Sequence, residues 1–176
     1  PSWDRYDREK NEVTLFVDHR LNEQWNIAAT GRYTSSEAET REHWASIGFG
    51  VAPNGDTART IYMADTGTEV TNFDIRLQGD LNLGMTRHRL AVGVDRQDAL
   101  WEQSNYYYGY AQGGTINLYN PVYGNVNYAA LNPADRPDNE IKQTGVYFID
   151  HMDIGNFAIS GALRHDDSTN TTLAVT

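Results

Sequence analysis

FDIRLQGDLNLGMTRHRLAVGVD, residues 73–95, alternates apolar and polar side chains twice, with a polar turn between the two runs. In the first run Phe73, Ile75, Leu77 and Leu81 share one face with Gly79, and Asp74, Arg76, Gln78 and Asp80 share the other. After a turn around residues 82–86, Leu90, Val92 and Val94 face one way, and Arg89, Ala91, Gly93 and Asp95 the other. A period of two belongs to a strand; a helix would bring its apolar positions round at a period of about 3.6. The stretch reads as an antiparallel hairpin.

Two more hairpins follow the same rule. VTLFVDHRL (13–21) turns through residues 22–24 into WNIAATGRYT (25–34), and TGVYFIDHM (144–152) turns through residues 153–156 into FAISGALRH (157–165). The connections between hairpins are read as long, roughly 35–70 and 98–140. The first holds two strand-like pieces, HWASIGFGV (43–51) and RTIYMA (59–64), around the turn signal PNGD at 53–56. About six principal strands result, with short turns at one end and long loops at the other. A soluble sandwich can have that plan, and so can a bacterial transmembrane barrel.

The 176 residues suit one domain, and their charge is −10, from 24 acidic and 14 basic side chains. A nucleic-acid partner is not expected, because a phosphate backbone needs a positive footprint. Cysteine is absent, so disulfide and thiolate chemistry are excluded. No run approaches the ~18 apolar residues of a transmembrane helix, whereas a transmembrane strand needs only about 9–11 alternating residues. The chain opens at Pro1 and closes in the strand-like TTLAVT. Both termini are expected to be cuts in a longer chain.

No catalytic centre is expected. There is no G-x-S-x-G elbow and no glycine-rich phosphate loop. Asp74 and Asp80 share a strand face but stand about 20 Å apart, too far for a glycosidase pair. His19, His43, His88, His151 and His165 lack metal-ligand spacing. DRPD (135–138) and HDD (165–167) do not reproduce a calcium loop, so no metal is expected.

Rings concentrate between Trp101 and Gly124, as Tyr106, Tyr107, Tyr108, Tyr110, Tyr119 and Tyr123. Aromatic groups offer broad flat contact, and tyrosine adds a polar handle, so these seven side chains form the candidate ligand-binding set. Packing within a loop, or an aromatic belt at a membrane interface, would use the same residues. Within INLYNPVYG (116–124), Asn120, Pro121 and Gly124 are read as loop-structural: proline stops the strand and glycine permits an unusual backbone angle.

The hairpin 73–95, the INLYNPVYG loop signature and the hairpin TGVYFIDHMDIGNFAISGALRHDD (144–167) together resemble a TonB-dependent outer-membrane siderophore receptor of the ferrichrome-receptor-like branch. The last hairpin departs from the Gly-x-Arg-Tyr-Asp-like ending of that family, with Gly161, Ala162, Leu163, Arg164, His165 and Asp166 in its place. The resemblance implies an all-β fold, antiparallel strands forming part of a 22-stranded transmembrane β-barrel with long extracellular loops. Residues 1–176 would be partial barrel, and the plug domain absent from this chain. It implies outer-membrane lipid around the wall and uptake of a ferric siderophore, of hydroxamate type in this branch. It also implies coupling to the TonB complex through a region N-terminal to these strands, with no covalently bound cofactor. Apart from the resemblance, a secreted β-sheet module binding carbohydrate and an outer-membrane porin remain alternatives.

Overall fold

The computed structural model describes residues 3–124 and 126–174. Its strands are β1 (Arg5–Arg20), β2 (Trp25–Ala45), β3 (Asp56–Leu83), β4 (Thr86–Gly109), β5 (Thr115–Asn117), β6 (Ala134–Ile154) and β7 (Phe157–Thr172). Six of them form one antiparallel sheet in the order β1-β2-β3-β4-β6-β7, while β5 pairs with the start of β3. The sheet is open, with β1 and β7 at its edges.

All three hairpins form. Leu77 lies opposite Val92 and Asp74 opposite Asp95, and the β3–β4 turn closes between Leu83 and Thr86. Gly84 sits first in that two-residue turn with φ +61, a region that glycine enters without a Cβ penalty.

The long connections are shorter than the sequence predicts. β2 runs on to Ala45 and β3 starts at Asp56, so most of 35–70 is strand and the loop is only 46–55. β4 likewise runs to Gly109 and β6 starts at Ala134. HWASIGFGV is strand only up to Ala45; Ile47–Phe49 is a 3-10 turn, fastened where Ser46 Oγ meets Thr60 Oγ1 at 2.7 Å. These extensions carry Thr, Ser and Glu on both faces. Strand geometry persists there, but the apolar–polar contrast that reveals it from sequence does not.

The register sorts the side chains onto two faces. Ile27, Leu77, Val92 and Phe148 follow one another across β2, β3, β4 and β6 on the apolar face, and Leu163 continues the row on β7. On β6 that face is apolar from Ile154 up to Val146, except at Asp150. The span covers roughly 27 Å of strand, or about 20 Å of height at a tilt near 40°. Above it the same face becomes charged, with Glu37 and Glu39 on β2, Arg96 and Asp98 on β4, and Glu140 and Lys142 on β6. Arg96 holds the partly exposed Asp98 carboxyl below the usual carboxylate range, through hydrogen bonding first.

Among the described residues no second sheet or helix covers the apolar face. Val92 and Phe148 accordingly remain 44% and 45% exposed, although they sit in the middle of the sheet. Asp150, the polar intruder on that face, accepts a hydrogen bond from or shares a proton with His88 Nδ1 at 2.9 Å. The most buried residues lie at the loop end, where Arg59, Thr60, Ile61 and Ala64 of β3 sit beneath the adjoining loops.

Candidate functional site

The polar face begins with an unfavourable pairing. Asp74 of β3 and Asp95 of β4 lie directly opposite, where like charges repel. Each is relieved from two strands away. Tyr147 of β6 crosses Gly93 of β4 and donates its phenol hydrogen to Asp74 Oδ2 at 2.7 Å. Arg164 of β7 crosses Gly145 of β6 and grips Asp95 with both terminal nitrogens, at 2.6 and 2.9 Å. Arg76 adds a second bond to Asp74 at 2.9 Å. Nearer the turns, Arg87 meets Asp80 at 2.9 Å and Arg89 meets Asp153 at 3.2 Å. The lining is thus charged but largely neutralised within itself.

Toward the loops the same face becomes aromatic. β2 and β3 stay in register to their ends, so Trp44 and Tyr62 share the side of Asp74. Trp101 lies opposite Thr68 and Tyr108 opposite Tyr62, on that side again. Tyr106 meets the Tyr62 ring edge-on at 5.9 Å, and the Arg136 guanidinium carbon lies 3.7 Å above the Tyr106 ring centre. That stacking places a cation on an electron-rich face. Trp44 and Tyr108 approach to 6.4 Å, and Phe49 and Tyr110 to 4.6 Å.

The seven ring residues singled out from sequence therefore divide. Trp101, Tyr106 and Tyr108 join one wall, and Tyr110 extends it into the loop. Tyr107 turns to the opposite face, where its ring occupies the space beside Gly109. Tyr119 packs against Gly55 in the neighbouring loop, and Tyr123 follows Pro121, 59% exposed. Asn120 donates its backbone N–H to Asn117 Oδ1 at 2.9 Å, and Gly124 has φ +88.

Several members of this region were not legible in sequence. Trp44, Tyr62 and Arg136 reach the wall from other strands. Asn117 connects two loops: its Nδ2 donates to Asn54 O and Asp56 Oδ1, both at 2.8 Å, while its Oδ1 accepts the Tyr119 and Asn120 N–H groups, both at 2.9 Å. On the opposite face Trp3 stacks on Tyr128 at 4.3 Å, beside His43, which is bonded to Asp4. Burial, and then the nearby Asp4 charge, push the Tyr128 phenol above its ordinary pKa. Among the described residues no group of three or more His, Cys, Asp or Glu side chains is placed to hold a metal ion.

Residues 1–175 match the family model described as TonB dependent receptor-like, beta-barrel. The chain belongs to this family. It is 28% identical over 169 residues to the ferrioxamine B receptor of Salmonella typhimurium (strain SL1344), covering 93% of this chain and 22% of that protein. To the ferrichrome outer membrane transporter/phage receptor of Escherichia coli K12 it is 26% identical over 184 residues, covering 92% and 24%. Among solved structures, the open form of the ferric-catecholate import receptor Fiu from E. coli K12 superposes with a TM-score of 0.79 at 16% identity, covering 96% of this chain and 27% of that one. The siderophore receptor PiuA from Acinetobacter baumannii gives 0.76 at 18% identity, covering 98% and 27%.

The chain thus spans about a quarter of the length of these relatives. It is an arc of barrel wall in an outer-membrane receptor, from a family of receptors rather than enzymes. In such a barrel the apolar face meets lipid, the polar face lines the lumen, and the long-loop end is extracellular.

Proposed function

We propose that the chain is one arc of a 22-stranded TonB-dependent receptor that imports a ferric siderophore of hydroxamate type. The plug domain lies outside residues 1–176 in this reading, as does the N-terminal region through which the TonB complex couples the proton-motive force. The chemistry is binding and gated passage, with no bond made or broken. The observation that carries the proposal is the lumenal wall of Trp101, Tyr106 and Tyr108, backed by Trp44, Tyr62 and Arg136, at the extracellular end. A compact chelate already fills the coordination of its iron, so the wall needs flat contact and a few polar handles rather than metal ligands. Tyr110, Tyr119 and Tyr123 extend the contact surface from the loop, and Tyr107 stands outside it. The names of two relatives, one for ferrioxamine B and one for ferrichrome, support the hydroxamate class.

The test expresses the full-length receptor in a Gram-negative strain stripped of its own siderophore receptors. Uptake of iron-55 is measured as ferrioxamine B, as ferrichrome and as a ferric tricatecholate, with and without TonB. TonB-dependent uptake of a hydroxamate is expected. Uptake of the catecholate alone would overturn the ligand class, and no uptake of any chelate would overturn the transport reading.

A further inference from the structure

Two extracellular loops that are distant in sequence behave in this structure as one piece. Loop 46–55 joins β2 to β3, and the segment after β4 returns to lie along it. Thr115–Asn117 pairs with Asp56–Ala58 as a small ladder. Arg59 N–H donates to Gly114 O at 2.9 Å, and Gly113 N–H donates to Arg59 O at 3.0 Å, which extends the ladder. Leu118 N–H donates to Gly55 O at 2.8 Å, and the Tyr119 ring fills the space over Gly55.

Asn117 stands where the ladder ends and the YNPVYG turn begins. Its amide nitrogen fastens one loop, through Asn54 O and Asp56 Oδ1, while its amide oxygen shapes the other, through the Tyr119 and Asn120 N–H groups. A carboxylate could accept the two N–H groups but could not donate to Asn54 and Asp56, and an apolar side chain could do neither. The same two loops carry the two partners of a ring contact at the edge of the wall, Phe49 from one and Tyr110 from the other.

We propose that Asn117 is the positioning residue that locks these two loops into a single extracellular body, and that this body sets the rim of the ligand wall. Its effect on ligand rests on the uptake reading above, but the lock itself does not. The lock ties a strand-proximal loop to a longer one, so the rim meets the chelate already ordered and the ordering cost is removed from the binding step.

The experiment uses the full-length receptor in detergent micelles or nanodiscs, with Asn117→Ala. Hydrogen exchange reads the lock without any ligand. Loss of protection in both loops is expected: at Tyr119 and Asn120, and also at Ala52 and Gly55, whose N–H groups donate to Asp56 O and Ala52 O. Loss confined to Tyr119 and Asn120 would make Asn117 a local cap and overturn the lock. Binding of ferrioxamine B and ferrichrome is then measured by quenching of intrinsic fluorescence. Asn117→Ala is expected to weaken the bound probe at least tenfold, with the barrel melting transition unchanged. Asp56→Cys with Asn117→Cys, oxidised to a cross-strand disulfide at these register partners, is expected to restore affinity to within threefold. Wild-type affinity in Asn117→Ala, or no recovery in the oxidised pair, would refute the positioning role. If the wild-type receptor binds neither probe, the hydroxamate reading fails while hydrogen exchange still decides the lock.

Discussion

Replacing Gly93 by alanine tests the crossing geometry of the lumenal face. A Cβ there would overlap the Tyr147 phenol and stand 2.9 Å from the Ile75 carbonyl oxygen, which belongs to backbone and cannot swing aside. Tyr147 must therefore leave, and its bond to Asp74 goes with it. A hydrogen bond to a charged group contributes about 1.5–3 kcal/mol, and roughly half of that applies at a partly exposed site. Overpacking against the backbone adds about 1–2 kcal/mol. The expected destabilisation is roughly 2–3 kcal/mol, read from guanidinium titrations of the full-length receptor in phospholipid vesicles. Gly31 is the control: a Cβ there meets nothing within 4 Å, so Gly31→Ala should stay within about 0.5 kcal/mol of wild type. In a Tyr147→Ala background the Gly93→Ala penalty should shrink by about 1–2 kcal/mol, because the displaced ring is already gone. An equal penalty in both backgrounds, or equal effects at Gly93 and Gly31, would refute the crossing.

Other perturbations separate the faces. Val92→Arg places a charge in the middle of the lipid-facing belt and should cost about 2–4 kcal/mol in the same vesicle titration, whereas Ala91→Arg, on the lumenal side, should cost far less. Asp98 should titrate below the ordinary carboxylate range by carbon-13 NMR and return toward it in Arg96→Gln. Because its folded pKa is depressed, any stability from this pair is present above the unfolded pKa and fades as pH falls through the folded value. Trp101→Ala and Tyr108→Ala should each weaken ferrioxamine B binding about tenfold, while Tyr107→Ala should leave it within twofold; equal losses at all three would sink the division of the rings by face.

The hairpins were legible because lipid and lumen demand opposite chemistry from alternate residues. Phe73 and Asp74 announce a strand together where neither would alone. Above the belt that contrast ends, and Thr66, Gly67, Thr68 and Glu69 read as loop although β3 runs straight through them. The ring cluster was visible as composition, but its division by face was not. Asn105, with φ +49, sits in a bulge where the β3–β4 register shifts by one, so counting alternate residues up from Val94 assigns Tyr106 and Tyr108 to the wrong side. Arg136 and Tyr62 join the wall from far along the chain, and Asn117 looks like any turn asparagine until the 46–55 loop lies beside it.

Alternation alone leaves a soluble sheet and a membrane barrel equally open, and the shape of the polar face argues further. Charged side chains on a solvated surface usually extend into water, and their exposed pairings contribute little. Here Tyr147 and Arg164 instead lie flat, each folded across a glycine to a carboxylate on the second strand over. The arrangement relieves the Asp74–Asp95 repulsion while keeping both long side chains close to the wall. A surface facing open solvent gains nothing from that low profile. A barrel lumen gains clearance, because the projecting side chains are the ones folded down and their charges are already engaged with one another. The two glycines therefore serve the open space of the lumen as well as the sheet, and substituting either should narrow the lumen as well as weaken the wall.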